Sequence, residues 1–345
     1  MVYKLKLINT LLFLTLLFLL GCSPGNKNNL VEFSGSTMGT TYSIKVIDEN
    51  LFQSKLKKES LKSTIDSLLS GVNNQMSTWQ KDSEITLFNA SKNTDWFNVS
   101  NDFVYVIEEA QKISEASNGA LDITVGQLVN LWGFGPTIND DNIPSDELLK
   151  KAKSLCNYKM ILFDKEKASI RKELEDVYID LSSIAKGFGV DKISNYIKGS
   201  GYNNFLVEIG GEVRASGKNH LNELWKIGIS VPDGSFDIQK IISLDNAAVA
   251  TSGDYRNYFE KNGIRYSHTI DPRTGRPINH SLASVSVVYD NCTAADGFAT
   301  AIEVLGPEEG YKLALKEKLP VLLIVKTDKG FIEKMTPEFK KLFKN

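Results

Sequence analysis

The chain has 345 residues, of which 42% are hydrophobic, 24% charged and 10% aromatic, a composition that excludes collagen, coiled coil and wholesale disorder. Forty Lys and Arg against 42 Asp and Glu leave a net charge of −2. Nothing in that balance points to nucleic acid, and no acidic run suggests a solvating tail.

Residues 1–21 read as an export signal. Lys4 and Lys6 precede an apolar run from Leu7 to Leu20, which is shorter than the ~20 residues needed to span a bilayer. It ends in Gly21-Cys22. A positive start, a short apolar core and a small residue before the cut make a secretory signal, and the Cys that follows resembles a bacterial lipoprotein signal. The expectation is that Cys22 is lipidated and holds the protein to the membrane on the extracytoplasmic side of a bacterial cell envelope, the periplasmic side in a Gram-negative cell. Residues 22–30 are polar and carry Gly and Pro, as a flexible tether would. Residues 31–345 form the functional domain.

Thr40–Val46 alternates as a strand does. The stripe from Leu51 to Val72 predicts a helix. Ser100 or Asn101 caps a second helix that ends at Asn118-Gly119, and Ser145 caps a third to about Leu155. Three short strands follow at 159–164, 168–172 and 177–181, then a helix over 184–197. The second half is strand-rich: 204–209, 212–216, 225–230, 239–244, 247–252, then 255–259 and 264–270 around the turn Lys261-Asn262-Gly263. Strand 284–289, helices 294–305 and 307–318, and a hairpin of 321–326 with 331–335 complete the chain. Unequal runs with antiparallel neighbours predict an α+β fold. Cys156 and Cys292 read as buried small hydrophobes rather than a disulfide.

Five segments carry residues suited to chemistry. In the helix from 294, Asp296 and Thr300 stand at i and i+4 on one face; they offer two hard oxygens to Mg²⁺, or else Asp296 simply favours a helix start capped by Thr293 or Ala294. Asp180 to Gly189 is a strand-to-helix turn whose free N–H groups and Lys186 suit an anion, or a tight packing turn. Asn118 to Gly126, followed by Leu131 to Gly135, suits a ring-and-ribose loop or a glycine-rich connection. Met38 and Trp79 near turns suit a planar ligand or a core. Tyr266 to Pro277 brings His268, Asp271 and Arg273 to a strand end, where His268 suits proton transfer or a plain hydrogen bond, and Asp271 would orient it. His220 and His280 read as solvated. No zinc pair, GxSxG elbow, Rossmann fingerprint or phosphate loop occurs.

Taken in order, these segments resemble the ApbE family of FAD:protein FMN transferases. The likeness runs from GSTMGT at 35–40 through MSTWQKDSEI at 76–85, GALDITVGQLVNLWGFG at 119–135, IDLSSIAKGFGVD at 179–191, VEIGGEVRASG at 207–217, TSGDYRNYF at 251–259 and HTIDPRTGRP at 268–277 to ADGFATA at 295–301. The resemblance implies a T-fold-type architecture of mixed, largely antiparallel sheets and packed helices, with two lobes around a flavin cleft. By motif match it implies that Met38, Trp79, Ala120, Leu121, Asp122, Asp180, Lys186 and Ile270 contact FAD. Asp296 and Thr300 would hold Mg²⁺, with an oxygen from Ser183. Ser182-Ser183 stands where the family often has Gly-Gly, which leaves the backbone and the side chain of Ser183 both open as ligand. The implied reaction moves FMN from FAD to a Thr or Ser hydroxyl of an acceptor flavoprotein, a subunit of a membrane respiratory or ion-pumping complex, and releases AMP. His268 is the expected catalytic residue, taking the proton of the attacking hydroxyl. Attack by water would make the same site an FAD pyrophosphatase. A chain of this size with this leader also suits a solute-binding lipoprotein.

Overall fold

Eight strands form one antiparallel sheet in which neighbours along the chain are also neighbours in space. They are β1 (Asn29–Thr37), β2 (Thr40–Asp48), β3 (Phe205–Ile209), β4 (Glu212–Ser216), β5 (Ala247–Gly253), β6 (Leu282–Tyr289), β7 (Val321–Thr327) and β8 (Gly330–Met335). This computed structural model describes residues 29–48, 55–137, 143–233, 237–253 and 257–343. The signal segment, Cys22 and most of the tether lie outside the described residues, as do residues 51–54 at the start of the predicted helix and residues 255 and 256 of the predicted strand 255–259. The long helices are α1 (Lys55–Met76), α2 (Asn101–Ala116), α3 (Ala185–Gly199) and α4 (Cys292–Lys316). The mixed helix and antiparallel sheet architecture is the α+β fold expected. No helix among the described residues is long and apolar enough to cross a membrane.

β6 reads LASVSVVY, and seven of its eight residues are buried, because the sheet is covered on both faces at its centre. On one face Val285 and Val287 pack with Ile107 and Ile113 of α2 and with Ala295, Ala299 and Ile302 of α4. On the same side, Leu61, Ile65 and Leu69 of α1 and Ile193 of α3 cover β2 and β3. On the other face Val288 and Val249 pack with Trp225, Ile242 and Phe339, which come from the hairpin 225–230/238–244 and the short helix Pro337–Lys341. Each fully buried Ile, Val or Phe contributes about 1.5–3 kcal/mol.

Local chemistry explains most boundaries. Ser100 Oγ accepts from Phe103 N and starts α2; Asn118 and Gly119 end it at φ 53° and 76°. Gly306, at φ 79° and followed by Pro307, kinks α4, which accounts for the two helices expected there. Four expectations need correction. Residues 177–181 are not a ladder strand: Ile179 pairs with the Asn89 side chain, and Asp180 N donates to Ile123 O at 2.7 Å. The cap of α4 is Asn291, whose side chain accepts from Ala294 N, so Thr293 lies inside the helix. β1 begins at Asn29, within the expected tether. His280 is half-buried, against Gly306. Cys156 and Cys292 are free thiols, and burial pushes Cys292 well above its usual pKa.

Candidate active site

A cavity of about 1100 Å³ opens between five segments. The first is the β1–β2 turn, a two-residue hairpin between Thr37 and Thr40 with Met38 at φ 50° and Gly39 at φ 71°. Positive φ at both central positions defines the turn that matches strand twist, and here it presents Met38 to the cavity. The second is the end of α1 with the turn 77–80, where Trp79 stands 70% exposed. The others are 129–135, 180–186, and Asn257 with His268. A smaller depression of about 440 Å³, lined by Arg265, His280 and Lys326 among others, lacks this convergence of sulfur, aromatic rings and buried charge.

The floor is a buried charge cluster. Lys186 Nζ lies 3.3 Å from Glu212 Oε1 and 3.4 Å and 3.5 Å from the two oxygens of Asp296. Gly187 N donates to Asp296 Oδ2 at 2.9 Å. Asp296 is aimed by the start of its helix. Asp191 on α3 accepts from Cys292 N at 2.9 Å, Thr293 N at 2.8 Å and Thr293 Oγ1 at 2.6 Å, so it takes up two of the N–H groups that α4 would otherwise leave unpaired. Arg214 in turn donates to Asp191 at 2.7 Å. Burial raises the pKa of Asp296 from its ordinary value, against the pull of Lys186. Burial pushes Glu212 up to about 8, again opposed by Lys186. Burial alone would lower Lys186, but Asp296 and Glu212 together hold it above its ordinary value.

Met38, Trp79, Asp180, Lys186 and His268 line the cavity. Asp180 Oδ1 accepts from Ser182 N at 2.8 Å. Ala120, Leu121, Asp122 and Ile270 are not among the lining residues; each is buried. Asp122 accepts from Thr124 N, Thr124 Oγ1 and Tyr158 N at 2.8, 2.5 and 2.9 Å, and burial raises its pKa. Ile270 packs with Leu128 and Trp132. Asp296 and Thr300 sit on α4 below the cavity, and Thr300 Oγ1 donates to Ser183 O at 3.4 Å, so at Ser183 it is the carbonyl that meets Thr300. Among the described residues no group of three or more His, Cys, Asp and Glu gathers as metal ligands. The hard-oxygen set is one carboxylate, one hydroxyl and one carbonyl.

His268 Nδ1 lies 2.9 Å from Asn257 O. A carbonyl only accepts, so Nδ1 carries the proton and Nε2 is the basic nitrogen. Phe134 meets the imidazole edge-on at 6.3 Å, and behind it stack Phe259, Tyr266 and Trp132. Asp271 does not orient His268: its carboxylate is bound by Arg273 N, Nε and Nη2. The sequence reading did not single out Glu212, Asn257 or Asn89. Glu212 carried one signal, an acid entering a strand directly after Gly210-Gly211.

Fold and cleft together define an α+β protein built around a ligand site with a buried lysine–carboxylate floor. The chain belongs to the ApbE family, whose model matches residues 38–323. It is similar to a FAD:protein FMN transferase of Vibrio cholerae, 45% identical over 328 residues that cover 94% of this chain and 96% of that one. A FAD:protein FMN transferase of Haemophilus influenzae is 43% identical over 331 residues, 94% of each chain. Among solved structures, the flavin transferase ApbE from Vibrio cholerae superposes with a TM-score of 0.84 at 43% identity, over 92% of this chain and 100% of that one. The apo form of the flavinyl transferase ApbE of Pseudomonas stutzeri gives 0.84 at 36% identity, over 92% and 98%.

Proposed function

We propose that the cleft binds FAD and that the chain transfers its FMN half to a threonine or serine hydroxyl of an acceptor flavoprotein, with AMP as leaving group. The observation that carries this reading is the cavity itself, which puts Met38 and Trp79 on its walls and Lys186 at its floor. Thioether and indole suit a planar ring, and the half-buried Lys186 ammonium suits a pyrophosphate. Residues 120–122 and 270, buried behind the cavity lining, act from beneath by holding the loops that the ligand touches.

The acceptor oxygen attacks the FMN phosphorus as the bond to the AMP oxygen breaks. His268 Nε2 takes the hydroxyl proton, and Asn257 O holds the ring in the tautomer that can do so. Lys186 offsets charge on the pyrophosphate. Asp296, Thr300 Oγ1 and the Ser183 carbonyl fit a Mg²⁺ ion, since Asp296 is aimed without needing Lys186 and all three atoms are hard oxygens. When bound, that ion supplies neutralisation of the phosphate oxygens. Phosphoryl transfer depends mainly on positioning and charge, and the cleft provides both. Lipidation at Cys22 would hold the enzyme to the membrane on the extracytoplasmic side, beside an acceptor subunit of a membrane respiratory or ion-pumping complex.

The test is to incubate the protein with FAD, Mg²⁺ and an acceptor flavoprotein, then to measure AMP and covalent flavin. AMP with no flavin on any acceptor hydroxyl would make the chain a pyrophosphatase; neither product would refute both readings.

A further inference from the structure

At the floor of the cleft two buried carboxylates share one ammonium. Charge-assisted N–H···O bonds normally close to about 2.7–2.9 Å. Lys186 Nζ instead stands 3.3 Å from Glu212 and 3.4 Å from Asp296, so it lies between the two acids rather than on either. The acids are held differently. Asp296 has its bond from Gly187 N and keeps its aim without the lysine. Glu212 is 2% exposed; its Oε1 faces Lys186, and among the described residues its Oε2 has no hydrogen-bond partner. Burying a carboxylate this way is costly unless a charge answers it.

The hairpin is nonetheless shaped to bring Glu212 there. Gly210 and Gly211, at φ 61° and 104°, make the turn between Ile209 and Glu212. Glu208 braces it by accepting from Gly211 N at 2.8 Å. A side chain at Gly210 would meet Thr40 at 2.8 Å and the stem of Lys186 at 3.5 Å, so the turn packs directly against the lysine.

We propose that Glu212 is a positioning residue that keeps the Lys186 ammonium off Asp296, so that Asp296 is available to a divalent cation. This rests on the reading of Asp296 and Thr300 as cation ligands. A lysine facing a single buried carboxylate closes on it, and a cation must then displace it. With a second carboxylate on its other side, the lysine keeps a counter-charge when the cation takes up that of Asp296. Glu212 acts through Lys186 and touches neither cation nor substrate.

The experiment measures Mn²⁺ binding to the FAD-free full chain by EPR, at a pH well above the value near 8 to which burial pushes Glu212. Glu212→Gln is expected to weaken binding at least about tenfold, the scale of losing an outer-shell partner. In Glu212→Gln/Lys186→Met the competing ammonium is gone, and Mn²⁺ affinity is expected to return close to that of the wild type. Wild-type affinity in Glu212→Gln would overturn the proposal. A double variant as weak as the single one would overturn it too, because Glu212 would then be a ligand or a requirement of the fold. Asp296→Ala keeps the two readings apart. If it binds Mn²⁺ as the wild type does, the cation reading of Asp296 fails; if it loses Mn²⁺ while Glu212→Gln does not, only the positioning role fails.

Discussion

Gly187 N donates to Asp296 Oδ2 at 2.9 Å, and the same glycine lets α3 cross the first turn of α4. A Cβ at this position would stand 2.3 Å from Cys292 O and 2.8 Å from Asp296 Cβ. The hydrogen bond and the close crossing are therefore one device, and Gly187 is a helix-packing residue, in line with the packing-turn reading of 180–189.

Gly187→Ala is expected to force the two helices apart. Overpacking of this kind costs about 1–3 kcal/mol, and the displaced Asp296 loses its aim. Urea unfolding and AMP release from FAD measure the two effects. An alanine variant with wild-type values in both would show that the crossing tolerates a methyl group.

His268→Ala is expected to slow flavin transfer by ~10²–10⁴-fold, the usual contribution of a general base, with FAD affinity little changed. Both quantities are measured on the same variant. Transfer that falls only in step with FAD binding would assign His268 to ligand contact.

Trp79 is 70% exposed at the mouth of the cleft, an expensive place for an indole that nothing covers. FAD is expected to quench its fluorescence, and Trp79→Ala to weaken binding by roughly 1–3 kcal/mol, the scale of burying a large apolar side chain. Titration of both proteins with FAD decides it; equal affinity rules out stacking.

Lys172 is fully buried, with Nζ 3.2 Å from Phe88 O and 3.4 Å from both Asn89 O and Val177 O. It ties the end of the helix Glu84–Ala90 to the segment leading to Asp180, and Asn89 adds two 2.8 Å bonds to Ile179. Lys172→Met keeps the volume but strands the carbonyls, at an expected cost of about 1–3 kcal/mol. Since Asp180 lies downstream of this tie, FAD affinity should fall as well. A variant as stable as the wild type in urea would show that the carbonyls find other partners.

Metal-free stability should depend on pH through Glu212. Its pKa rises from 4.5 to about 8 on folding, through burial. Between those values the native state holds a proton that the unfolded chain has released, so stability falls as pH rises across that window. The slope reaches at most about 1.4 kcal/mol per pH unit. Urea midpoints in EDTA from pH 4.5 to 8, for wild type and Glu212→Gln, test this. Parallel curves would place the proton elsewhere.

Sequence by itself determined most of the periodic elements, a helix start at Ser100 or Asn101, the break at Gly306 and the order of motifs that marks the family. It also put Asp296 and Thr300 on one helix face. These are features of neighbours along the chain, where side-chain period, capping and glycine conformation act within a few residues. Only the tertiary structure decided which motifs meet. Lys186 and Asp296 are 110 residues apart in the chain, and Glu212 joins them only because β3 and β4 fold back over α3. Residues 177–181 carry a strand's pattern, yet their partner is the side chain of Asn89 rather than another strand. Asp271 is three residues from His268 but belongs to Arg273, because the turn after it brings that guanidinium onto the carboxylate. Such pairings depend on how packed elements cross, and local propensity carries no information about that.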